Sequence, residues 1–133
     1  VLVIDDDEIV LQAIRDLLVA AGYEVHTLVS PIGATQVIMS KQIQAVVVDL
    51  NMPVMRGDRF ISLLRSWDKI RDLPTVLISG ASSLTLEEAV KQLPGVSMVT
   101  KDTMQRTLPE TLRRMLGRER GSLARPSMGT PRK

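Results

Sequence analysis

A chain of 133 residues suits one compact domain, and 44% hydrophobic residues are enough to build its core. With no cysteine, one histidine (His26) and no long apolar run, the sequence excludes disulfides, thiolate chemistry, a multi-histidine metal site and a membrane-spanning helix. The net charge of +2 is uneven: residues 1–112 carry 10 basic and 14 acidic side chains, residues 113–133 carry 7 and 1, so the basic balance says little about what the folded part binds.

The first apolar run, Val1 to Ile4, ends in Asp5-Asp6-Asp7. Asp7 is placed to cap a helix whose Leu11, Ile14, Leu18 and Ala21 share one face, and Gly22 ends it. Tyr23 to Val29 reads as a second strand, and Pro31 opens a short helix to about Lys41. Ala45 to Val48 is a continuously apolar third strand, broken by Asn51-Met52-Pro53. Gly57 precedes a helix expected to turn Phe60, Leu63, Leu64 and Trp67 inward. Pro74 introduces a fourth strand, Thr75 to Ile78, closed by Ser79-Gly80. A helix from about Leu84 to Leu93 follows, with Leu86, Ala89, Val90 and Leu93 on one face. Val96 to Thr100 is the fifth strand, and the last helix runs from about Met104 to Leu116 on a stripe of Leu108, Leu112, Met115 and Leu116. Residues 1–116 therefore form the domain, and residues 117–133, rich in Gly, Ser, Pro and Arg, read as a basic disordered tail or linker. The start at Val1, without Met, is expected of a piece cut from a longer protein, and no signal peptide is visible, which favours the cytoplasm.

Five β-α units with wholly apolar strands predict an α/β fold, a parallel sheet covered by helices on both faces. In such folds ligands bind at the carboxyl ends of the strands. There the sequence puts Asp5 and Asp6 after strand one, Asp49 after strand three, Ser79 after strand four and Lys101 after strand five. Three neighbouring carboxylates repel one another and call for a cation. A hard dication with oxygen ligands suits them, Mg²⁺ or Mn²⁺. Lys101 can hold a phosphoryl oxygen and Ser79 another, which points to phosphoryl transfer onto a carboxylate. Each part alone has a plainer origin: an acidic helix cap, a surface lysine, an ordinary turn. Asp49 is the least ordinary, a carboxylate directly after a buried valine run.

These residues, in this order, resemble the receiver domain of response regulators in two-component signalling. Val3-Ile4-Asp5-Asp6-Asp7 resembles the family's opening acidic pair, Val46 to Pro53 with Gly57 the phosphoacceptor segment, Leu77-Ile78-Ser79-Gly80 the switch segment, and Lys101 the family's lysine. The intervals fit as well, at 43 residues from Asp6 to Asp49, 30 to Ser79 and 22 to Lys101. The resemblance implies a doubly wound, flavodoxin-like sheet with strand order 2-1-3-4-5. It implies Asp49 as phosphoacceptor, with Asp6, Asp49 and the backbone carbonyl of Asn51 as Mg²⁺ ligands and Asp5 acting through water. Ser79 and Lys101 would hold phosphoryl oxygens. The donor would be a phosphohistidine on a sensor kinase or phosphotransfer domain. The outcome would be a switch, through Ser79, acting on a downstream protein or linked output domain. Asn51 and Ala81 would flank the site and tune water access.

Two positions depart from the family. Met98 stands where the family has an aromatic switch residue, and Asp102 follows Lys101 where the family has a cis proline. A trans Lys101–Asp102 peptide is expected, because a cis bond before a non-proline costs about 2.5–4 kcal/mol. Asp102 also brings a negative charge close enough to compete for Lys101. The alternative function is a receiver-shaped interaction module that works without phosphorylation. An enzyme acting on external substrates is disfavoured, because Asn51 stands where an aspartyl-nucleophile phosphatase often has a second carboxylate. Within these residues nothing offers a recognition helix for nucleic acid. The expected state is a monomer or weak dimer, without a membrane. His26, Trp67 and Arg113, Arg114, Arg118 and Arg120 read as ordinary surface or packing residues.

Overall fold

The computed structural model describes residues 1–80 and 84–123, with the side chains of 84–86, 89 and 118–123 outside that description. In chain order it has β1 (Leu2–Ile4), α1 (Glu8–Ala20), β2 (His26–Leu28), α2 (Ala34–Ser40) and β3 (Val46–Asp49). There follow α3 (Gly57–Arg65), β4 (Thr75–Ser79), α4 (Leu84–Lys91), β5 (Val96–Thr100) and α5 (Met104–Leu123). The five strands form one parallel sheet in the order β2-β1-β3-β4-β5. This is the expected doubly wound architecture.

Alternation along the strands splits the core into two layers. Leu2, Ile4, Val46, Val48 and Leu77 pack on one side with Ala34 and Ile38 of α2, Phe60, Ile61 and Leu64 of α3, and Val90 of α4. Val3, Val47, Val76, Ile78 and Val99 pack on the other with Leu11, Ile14 and Leu18 of α1 and Leu108, Leu112 and Leu116 of α5. Both faces are covered, which is why the inner strands β1, β3 and β4 carry continuous apolar runs, while the outer strands β2 and β5 admit polar residues.

Local chemistry sets the helix ends. The Asp7 side chain accepts from the N–H groups of Ile9 and Val10 and caps α1. At the other end Gly22, at φ +96°, takes the left-handed position. Its N–H donates to the Val19 carbonyl and that of Tyr23 to the Leu18 carbonyl, a Schellman closure.

Several expectations need correction. β2 is only His26–Leu28, the residues in register with β1 at one edge of the sheet; of the flanks, the Glu24 carbonyl accepts from the Val1 amine but extends no ladder. Ala21 is exposed at the C-cap of α1 rather than on its buried face. Leu63 and Trp67 are 45% and 50% exposed, so they face outward; Gly57, Phe60, Ile61 and Leu64 form the buried stripe of α3. α5 continues to Leu123, past Leu116, since Arg118, Glu119 and Arg120 are good helix formers and Gly117 and Gly121 only weaken a helix. The side chains of Leu86, Ala89, Arg118 and Arg120, and Ala81 and residues 124–133 altogether, lie outside the described residues. No helix among the described residues is long and apolar enough to cross a membrane.

Candidate functional site

Parallel pairing brings the ends of β1, β3, β4 and β5 to one edge. The Asp5 N–H donates to the Leu28 carbonyl, that of Leu50 to Ile78, and that of Lys101 to Ser79, at 2.8–3.1 Å. The backbone that carries each polar residue is thus fixed by the neighbouring strand.

Asp5 and Asp49 are buried, at 1% and 3% exposure, while Asp6 is exposed. One carboxylate oxygen from each of the three lies within 4.8 Å of the others. Asp5 Oδ1 accepts from the Asp7 N–H at 2.9 Å, which aims the carboxylate back over the strand end. Asp5 Oδ2 has no hydrogen-bond partner among the described residues. Asp49 Oδ1 is also buried and meets the Lys101 ammonium at 3.4 Å, ion-pair distance but longer than a good hydrogen bond. Buried carboxylate oxygens left short of donors are costly unless something else satisfies them. The set of three hard oxygen donors with two orphaned atoms fits a hard dication.

The electrostatics agree with the geometry. Burial pushes the Asp5 carboxyl up from its ordinary 3.8 to about 6, against the Asp7 N–H bond and with further help from the Asp49 charge. Burial also raises Asp49, opposed chiefly by Lys101 and, more weakly, by the Asn51 backbone N–H. Lys101 pairs with Asp49 and not with Asp102, which is exposed, and the Lys101–Asp102 peptide is trans. Ser79, 2% exposed, ends β4 beside Thr100 of β5. Asn51 is exposed in the loop after β3. Met98 is half-buried and packs against the α2–α3–α4 layer, paired in register with Leu77.

Two further contributions shape this edge: Gly57, which the sequence places with the phosphoacceptor segment, and a hydroxyl cluster that it does not single out. Gly57 opens α3 directly against β3, and its N–H donates to the Leu50 carbonyl at 2.8 Å. A Cβ there would overlap the Asp49 carbonyl oxygen and stand 2.9 Å from Leu77 Cδ1. The second is a set of threonine hydroxyls, Thr100, Thr103 and Thr107, around the turn after Lys101. Nothing in the sequence pattern distinguishes them from ordinary polar residues at a helix start.

Residues 1–113 match the family model of the response regulator receiver domain. The chain belongs to that family. Among its relatives, the transcriptional regulatory protein PrrA of Mycobacterium tuberculosis is 32% identical over 130 residues, which are 98% of this chain and 54% of that protein. The chain thus spans about half the length of the curated relatives it matches first. The polar-differentiation response regulator DivK of Brucella anthropi is 22% identical over 88% of this chain and 95% of its own. Among solved structures, the chemotaxis response regulator CheY4 of Vibrio cholerae superposes with a TM-score of 0.76 at 26% identity, over 86% of this chain and 95% of that one. A receiver domain from Clostridium thermocellum gives 0.76 at 25% identity, over 91% and 96%. The receiver domain is a signalling module of two-component systems.

Proposed function

We propose that this receiver domain accepts a phosphoryl group on Asp49 from a phosphohistidine of a sensor kinase or phosphotransfer domain and relays the change to a downstream partner or linked output domain. The observation that carries this reading is the buried Asp49 carboxylate at the end of β3, 3.4 Å from Lys101 Nζ and grouped with Asp5 and Asp6. A carboxylate in that setting is held ready as a nucleophile and has a cation beside it for the charge that arrives.

In the transfer, an Asp49 oxygen forms the new O–P bond while the P–N bond of the phosphohistidine breaks. The imidazole leaves with the bonding pair and takes a proton. Such reactions need positioning and charge neutralisation more than covalent chemistry. Lys101 moves its ion pair from the carboxylate to a phosphoryl oxygen, and the Ser79 hydroxyl serves another. Asp6, Asp49 and the Asn51 carbonyl would hold Mg²⁺ or Mn²⁺, with Asp5 acting through water. When bound, the ion neutralises the carboxylates and the incoming phosphoryl oxygens. Ser79, drawn to the phosphoryl group, and Met98, on the same two strands, would bias the surface of α4, β5 and α5 between two states. The Lys101–Asp49 pair favours this reading over an interaction module that is never phosphorylated, since the lysine reaches the site although its peptide to Asp102 is trans.

Incubation with acetyl phosphate and Mg²⁺, read by intact mass, tests the proposal. One phosphoryl group should be gained, and the gain should vanish with EDTA and in Asp49→Asn. A folded wild-type chain that gains nothing would leave the interaction-module reading in its place.

A further inference from the structure

Lys101 leaves β5 into a turn that no proline fixes: Asp102 follows it through a trans peptide. Threonine hydroxyls close that turn instead. Thr100, the last residue of β5, and Thr103, the residue before α5, bring their Oγ1 atoms within 2.9 Å of each other. The Thr103 hydroxyl is also 3.4 Å from the Thr100 carbonyl, and the Thr103 N–H donates to that same carbonyl at 3.2 Å. One turn on, the Thr107 hydroxyl donates to the Thr103 carbonyl at 3.0 Å and lies 3.4 Å from Thr103 Oγ1. All three side chains are part-buried and β-branched, so few rotamers are open to them and each fixes the next. On its other side the Lys101 N–H donates to the Ser79 carbonyl at 2.8 Å. The lysine backbone is therefore held between β4 and the hydroxyl ladder. Where a flexible four-carbon stem delivers its ammonium depends on where its backbone is held.

We propose that Thr103, with Thr100, is a positioning residue for phosphoryl transfer, keeping Lys101 Nζ on Asp49. The inference rests on the receiver reading above and deepens it. Thr103 acts through Lys101 and not on the reacting atoms. Thr103→Val keeps the branched shape and removes the hydroxyl, so the turn loses its side-chain closure and Lys101 loses its fixed approach. Thr103→Ser keeps the hydroxyl.

The test compares initial rates of phosphoryl uptake from acetyl phosphate at saturating Mg²⁺, with Lys101→Ala as the second arm of a double-mutant cycle. Thr103→Val should slow uptake about tenfold, the scale of a small misplacement of one catalytic group, and Thr103→Ser should restore it. In the Lys101→Ala background Thr103→Val should cost nothing further. Thr100→Val, which removes the other hydroxyl of the pair, should reproduce the loss if Thr103→Val does not fold. As a readout independent of transfer, acetylation of Lys101 by acetic anhydride, located by peptide mass, should be faster in either valine variant. Wild-type rate and wild-type acetylation in a folded Thr103→Val chain would overturn the inference alone. A slowing of the same size with and without Lys101 would overturn it too, as a merely structural effect. A wild-type chain that takes up no phosphoryl group fails the receiver reading itself, and the inference falls with it.

Discussion

Asp5 and Asp49 are carboxylates that water barely reaches, and their position at the strand ends leaves them little else to lean on. Burial raises both above the ordinary range, Asp5 to about 6. The folded state therefore holds these protons more tightly than the unfolded chain does. For an acid with a raised pKa, the stability contributed is present at low pH and lost as pH rises through the folded value. In EDTA the protein should thus melt at a lower temperature at about pH 7.5 than at about pH 5, with the fall centred between the ordinary value and about 6. Asp5→Asn, which removes the buried charge, should flatten part of that slope and raise the melting temperature at the higher pH. Equal slopes in wild type and variant would contradict the assignment. Mg²⁺ affinity should run the other way, falling as pH drops through about 6, because a cation must displace the same proton. Titration calorimetry across that range checks it.

Among the elements, β3 and α3 define the site most tightly. Gly57 lets the start of α3 lie against the Asp49 backbone, where any side chain would collide with a carbonyl oxygen that cannot move away. Gly57→Ala should therefore cost about 1–3 kcal/mol in urea unfolding, the range for an overpacked core position, and should slow phosphoryl uptake as Asp49 shifts. An unchanged midpoint would show that the helix start has room to retreat. The inner strands were legible in the sequence because a sheet covered on both faces gives them continuous apolar runs, as in Val46-Val47-Val48, while the outer β2 had no such run to set its ends. The polar residues ending those runs were legible for the same reason: Asp5, Asp49 and Ser79 interrupt apolar segments that have no use for charge. α3 was misread because two stripes fit its period. Leu63 and Trp67 continue one of them, and Ile61, buried beside Phe60 and Leu64, belongs to the other. Only the packing of α3 on β4 chooses between them. The end of α5 was obscured by Gly117, which resembles a stop but sits inside the helix. The threonine ladder could not be seen, since hydroxyl pairing depends on a turn whose shape the sequence does not spell out.

At the scale of the whole molecule, the fold gathers residues 43, 30 and 22 positions apart onto one sheet edge. The order β2-β1-β3-β4-β5 puts β1 and β3 side by side, which is what brings Asp5 and Asp6 to Asp49, while β4 and β5 supply Ser79 and Lys101 from the other side. An open groove of about 460 Å³, lined by Ile38, Ile43 and Ile70 together with Gln42, Asp68 and Asp72, lies near the opposite edge, before β3 and β4 begin, and has no part in this chemistry. On the proposed function, Asp49 alone of the three clustered carboxylates takes the phosphoryl group. An acyl phosphate is reduced by sodium borohydride to an alcohol, so the modified residue can be trapped and found by peptide mass after reaction with acetyl phosphate and Mg²⁺. Homoserine is expected at position 49, with unaltered aspartates at 5 and 6. Homoserine at position 5 or 6, or none in a chain that has gained phosphoryl mass, would contradict it.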